Sequence, residues 1–230
     1  MKSQKPFLVV GYIGIVVILL ALVIMSIFPH IVPYMAEGFR TPIIFFEFVR
    51  TVGETQRLFG MFAGFLPDDN LVHQMNLGNK IDFIYAFVYG TFLFLFARKL
   101  LKISGKKIFM AVMILAVTAM VFDWLENIKL IAITEKLADG SFQDELDMLH
   151  IYTWIKWGSL ALSFLILSDW FFKGGTISKI FSFIAWSPAV LGILAYRYPG
   201  FYSELFALSI MIMFVGTIIY CFVYKQTETN

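Results

Sequence analysis

The chain has 230 residues, of which 60% are hydrophobic and only 15% charged, whereas a soluble domain carries about a quarter charged residues; this excludes an ordinary water-soluble globular protein. The formal net charge of +2 is too small for a nucleic-acid partner, and the single cysteine, Cys221, excludes an intrachain disulfide. The composition predicts an all-α protein, a polytopic membrane helical bundle.

A helix needs about 20 apolar residues to cross a bilayer. Six segments meet this requirement, at residues 7–28, 81–97, 108–133, 149–168, 178–195 and 203–224, within a single integral membrane domain covering 1–230. The first follows Lys2 and Lys5. Its apolar core exceeds that of a signal peptide and no small-x-small cleavage site follows, so a retained signal anchor is expected.

The connection between the first two spans is too apolar for a solvated loop. Thr41-Pro42 is a helix start, with Thr as N-cap and Pro at the first helical position. Glu47, Arg50, Thr51, Glu54 and Arg57 then fall on one stripe, and Phe45, Phe48, Val49, Val52 and Phe59 fall opposite. This pattern predicts an external amphipathic helix across 41–66, either lying in the headgroup layer or acting as a lid. Gly60 and Gly64 have the small-xxx-small spacing. Asp68, Asp69, Asn70 and His73 invite a metal reading, but Asp68 or Asn70 as a helix cap explains the run, and no metal is predicted.

The second span enters with Asp82, Tyr85 and Tyr89 on one stripe. The third carries Phe122-Asp-Trp-Leu-Glu-Asn-Ile-Lys129, a polar cluster near the end of a long apolar run. Ionisable groups are costly in hydrocarbon and mark functional sites. Asp123, Glu126 and Asn127 share one helix face. A rise of about 1.5 Å per residue puts Asp123 roughly 15 Å from the end of the helix and Glu126 roughly 10 Å. Lys156, in the antiparallel fourth span, lies at the depth of Glu126 by the same rise. A Glu126–Lys156 pair is therefore predicted, with His150, Thr153, Trp154 and Trp157 on a second face of that helix. The fifth span contains Pro188 and should kink.

Positive charge sets orientation. Arg98, Lys99, Lys102, Lys106 and Lys107 lie in the short connection between the second and third spans, against Lys136 alone between the third and fourth. This predicts both termini in the cytoplasm and a multi-pass protein of the cell membrane, plasma or inner. Trp170, Tyr220 and Tyr224 on one side and Tyr196, Tyr198 and Tyr202 on the other suit the two headgroup levels.

No zinc-type HExxH, Walker loop, GxSxG elbow, CxxC or pair of histidines within a span is present, so no cofactor is predicted. The expected function is an intramembrane acidic/lysine site opening to the outer side that binds, or acts on, a lipid or amphipathic small molecule. Asp123, Glu126 and Lys156 are the candidate catalytic groups, and Asp82, Tyr85, Tyr89, Asn127, His150, Trp154 and Trp157 are the candidate binding groups. One alternative is a proton- or cation-coupled transporter. It needs polar access from the inner side as well, for which only Ser163, Ser168, Asp169, Ser182 and Ser187 are available. The other alternative is a structural or assembly protein whose polar cluster only fixes helix packing.

Overall fold

The computed structural model describes residues 3–62 and 66–227; Gly64 of the small-xxx-small pattern lies outside them. Among the described residues nine helices run in chain order: α1 (Leu8–Ile27), α2 (Pro42–Phe48), α3 (Val52–Leu58), α4 (Asp69–Ser104), α5 (Ile108–Glu135), α6 (Gln143–Phe172), α7 (Thr176–Ile184), α8 (Ser187–Arg197) and α9 (Phe201–Val223). A two-residue antiparallel bridge pairs Ser3–Gln4 with Gln226–Thr227, bringing both chain ends to one end of the bundle. Among these residues six stretches are long and apolar enough to cross a membrane: α1, α4, α5, α6, α7 with α8, and α9.

These six close into a ring. α1 packs on α4, α4 on α5, α5 on α6, α6 on α7 and α8, α8 on α9, and α9 back on α1. The centre is filled mainly by phenylalanine, with Phe92, Phe96, Phe164 and Phe171 fully buried. Gly90 sits where α4 meets α5; a Cβ there would lie 2.9 Å from Met120 Cβ, so the close approach of the two helices depends on it.

Helix ends follow local chemistry. The Asp68 carboxylate caps α4, accepting from Asn70 N at 2.9 Å and Leu71 N at 3.2 Å, and α4 stops at Gly105, whose φ is +70°. The segment predicted at 81–97 is thus the middle of a 36-residue helix, about 54 Å long, against a hydrocarbon core of about 30 Å. Its first three turns, residues 69–80, are polar and so lie outside the apolar run by which a span is recognised. The expected kink at Pro188 is a break between α7 and α8. Pro188 has no N–H for the carbonyl of Ile184, and the Ser187 hydroxyl donates to that carbonyl instead, at 2.7 Å.

The single amphipathic helix expected over 41–66 is replaced by two seven-residue helices. Thr51 adopts an extended conformation and caps α3, its hydroxyl oxygen accepting from Glu54 N at 3.2 Å and its O–H donating to Glu54 Oε2 at 2.8 Å. Thr51-Val-Gly-Glu54 is a capping box, and that cap requires α2 to end before it. The polar stripe is consequently divided: Glu47 points inward and is 8% exposed, while Arg50 stays on the surface. α2 does not float on the surface. It packs on α5, α6 and α9, and its start is held by Glu204 of α9, which accepts from Arg40 N and Thr41 N, both at 2.9 Å, and from the Thr41 hydroxyl at 2.8 Å.

Candidate functional site

The site is built along the antiparallel α4–α5 seam and closed by α6 and α2. Three side-chain-to-side-chain rungs join α4 to α5, beside the Trp124 indole N–H, which donates to the Phe83 carbonyl at 2.9 Å. The Thr134 hydroxyl lies 2.8 Å from Asn76 Oδ1, Asn127 Nδ2 donates to Asp82 Oδ2 at 2.8 Å, and the Tyr89 hydroxyl donates to Asp123 Oδ2 at 2.8 Å. Because positions four and seven apart share a helix face, a sequence that places polar residues at 82 and 89 on α4 and at 123, 127 and 134 on α5 aligns them on facing surfaces; Asn76, six residues before Asp82, reaches Thr134 from a neighbouring face.

From α6, the Lys156 ammonium reaches this seam at its deepest rung. It forms an ion pair with Glu126, as depth matching predicts, and lies 3.5 Å from Asp123 Oδ1 and 3.3 Å from Glu47 Oε1. Glu47 is fixed from the other side by Trp157, whose indole N–H donates to Oε2 at 2.9 Å. The Thr153 hydroxyl donates to Glu126 and lies 3.2 Å from the Glu47 carbonyl oxygen. The Lys156 ammonium also stands 5.1 Å from the centre of the Trp157 ring, within cation–π range. Glu126 and Thr153 are fully buried, and Lys156 is only 5% exposed. Burial pushes the Glu47 carboxyl above its usual range, against the pull of Lys156 and the Trp157 N–H.

Of the ten residues singled out in the sequence, Asp82, Tyr89, Asp123, Glu126, Asn127, Lys156 and Trp157 come together. Tyr85 packs edge-to-face on Tyr89 with ring centres 5.3 Å apart and is half-buried beside the cluster. Trp154 and His150 lie outside it. Trp154 sits among Phe48, Tyr196 and Phe206, with ring centres 5.4, 5.1 and 6.4 Å away. His150 lines a separate surface pocket with Arg50, Leu146, Asp147 and Ile151. Lys129 makes no ion pair among the described residues.

Sequence reasoning missed Glu47, placing it on the solvated stripe of an interfacial helix. Its surroundings, Ile43-Ile-Phe-Phe-Glu-Phe-Val49, form an apolar run broken by one acid. The rule that singled out Asp123 applies equally here.

Two polar groups beside the cluster have no hydrogen-bond partner although their polar atoms are buried: both amide atoms of Asn79, one turn before Asp82 on α4, and the indole N–H of Trp154. An orphaned buried polar group costs about 1–3 kcal/mol. Taken together, three carboxyl groups (Glu47, Asp123 and Glu126) surround one ammonium, with Asp82 held to the same seam through Asn127 and aromatic walls on the α6 side. Such a set can bind a cationic or hydrogen-bond-donating head group, or exchange protons with one.

Comparison with protein-family models, with curated proteins and with solved structures found no match for this chain.

Proposed function

We propose that this is an integral membrane protein of the cell membrane with an acidic/lysine site, opening to the outer side, that binds a lipid or other amphipathic small molecule. The observation that carries this reading is the origin of Glu47. The third carboxylate on Lys156 comes from α2, a seven-residue helix that does not span. A short helix hooked into a buried ion cluster is suited to act as a lid, since it can lift without separating the spanning helices. Lifting it would uncover Asp123, Glu126, Lys156 and Trp157 toward the end of the bundle that carries α2 and α3.

Two further features support a ligand over simple helix fastening. Three carboxyls against one ammonium leave an uncompensated surplus, and buried charge clusters are poor sources of stability. The orphaned Asn79 amide and Trp154 N–H supply donors and an acceptor that a polar head group can engage. Asp123 and Glu126 are the groups placed for proton transfer, Lys156 for electrostatic clamping, and Tyr85, Tyr89 and Trp157 for the walls.

The transporter alternative gains no support from the other half of the bundle. Beyond Tyr89, Asp123 and Lys156 the interior is filled by Phe92, Phe96, Phe164 and Phe171. The polar residues available there are already engaged. Ser163, Ser168, Ser182 and Ser187 donate to backbone carbonyls, and Asp169 pairs with Lys106 at the bundle end.

Native mass spectrometry of the protein released from membranes under mild conditions tests the reading. A bound species retained by the wild type and lost in Glu126→Gln, with the fold intact, is expected. An adduct-free wild type, or identical adducts in both proteins, would overturn it.

A further inference from the structure

A second, separate site lies at the opposite end of the bundle, where the chain termini meet. Leu95, Arg98, Lys99 and Lys102 of α4 are spaced i, i+3, i+4, i+7 and share one face. With Val9 and Val10 of α1 they line a surface cavity of about 220 Å3 in the groove between the two helices. Arg98, Lys99 and Lys102 are all exposed, and none has a carboxylate partner among the described residues. This sets them apart from Lys106 and Lys173 at the same end, which share Asp169 at 2.5 and 3.9 Å.

From Val9 at the mouth of the groove an exposed apolar face runs along α1. Val9, Tyr12, Val16, Leu19 and Val23 are exposed along α1, again at helical spacing on one face. Cations at the mouth of the groove and an exposed apolar helix face leading away from them match an anionic amphiphile: a phosphate among the three cations, an acyl chain along α1. Basic pockets between spanning helices are recognised sites for anionic lipid head groups.

We propose that the α1–α4 groove binds an anionic phospholipid of the leaflet at the terminal end, with Arg98, Lys99 and Lys102 holding its phosphate and Val9, Val10 and Leu95 its first chain carbons. The site is independent of the acidic/lysine cluster and involves the opposite charge.

The test uses full-length protein in detergent, titrated with dioleoyl phosphatidylglycerol or dioleoyl phosphatidylcholine and read by native mass spectrometry. The wild type is expected to prefer phosphatidylglycerol. Each cation near a membrane surface contributes about fivefold, so Arg98→Gln/Lys99→Gln/Lys102→Gln should lose preference on the order of 100-fold. Lys107→Gln/Lys179→Gln/Lys225→Gln removes the same charge elsewhere at that end and should keep it. Soluble glycerol phosphate should leave the lipid adduct in place. Equal binding of the two lipids, equal loss in both triple variants, or displacement by glycerol phosphate would overturn the proposal. All six positions are exposed, and unchanged melting temperatures confirm that folding is not the variable.

Discussion

Glu47 Oε1 lies 3.3 Å from Lys156 Nζ, joining a short helix that does not span to a long helix that can. The contact is one of three that Lys156 makes with carboxylates, and the only one that depends on α2. Glu47 is the single polar side chain of α2, so the polar part of its docking rests on Glu47 and on the Glu204 contacts at its start.

The state of Glu47 makes docking of α2 pH-dependent. Burial raises its carboxyl above the usual range, so the docked state holds the Glu47 proton more tightly than the released state does. Its contribution to docking is fully present below the ordinary carboxylate value and is lost as pH rises through the docked value. Tryptic cleavage after Arg50 should accordingly speed up with rising pH relative to Glu47→Gln, which has no such titration. A wild-type to variant ratio that is flat with pH would remove Glu47 from this role.

Lys156→Met leaves the surrounding carboxylates without their cation. Removing one partner of a buried ion pair costs about 3–5 kcal/mol. A large fall in melting temperature is expected in detergent or nanodiscs, and Lys156→Met/Glu126→Gln should recover part of it, because the strongest partner is then neutral. A single variant as stable as wild type would mean that Lys156 is not the centre of the cluster.

The six apolar stretches and the Glu126–Lys156 pair were legible because each rests on one rule: length of apolar run for the spans, helical rise for the matching depths. The full length of α4 was not, since residues 69–80 are polar and nothing in composition separates a helix extending past the apolar layer from a loop. The inward turn of Glu47 was hidden by a helical wheel that ran through Thr51. The capping box Thr51-Val-Gly-Glu54 was present in the sequence and breaks that wheel, leaving Glu47 alone in an apolar run. Trp154 and His150 share a helix with Lys156 yet fall outside the cluster, because sequence spacing fixes a side chain's direction from its helix but not which neighbour stands opposite.

The phenylalanine-filled half of the bundle predicts an absence of transport. Liposomes containing the wild type should not dissipate a proton gradient faster than protein-free liposomes, and Asp123→Asn should not change that. A protein-dependent flux abolished by Asp123→Asn would favour the transporter reading instead.

The proposed function requires α2 to be a separable lid over a buried site and not a permanent fastening. Amide hydrogen exchange in nanodiscs tests this most directly, by comparing residues 42–48 with the cores of α5 and α6. A lid exchanges through local opening, so α2 should exchange far faster than α5 and α6, and faster still in Glu47→Ala, while those two helices are unaffected. Exchange of α2 only in step with α5 and α6, in both proteins, would mean that Glu47, Lys156 and their partners simply hold the helices together.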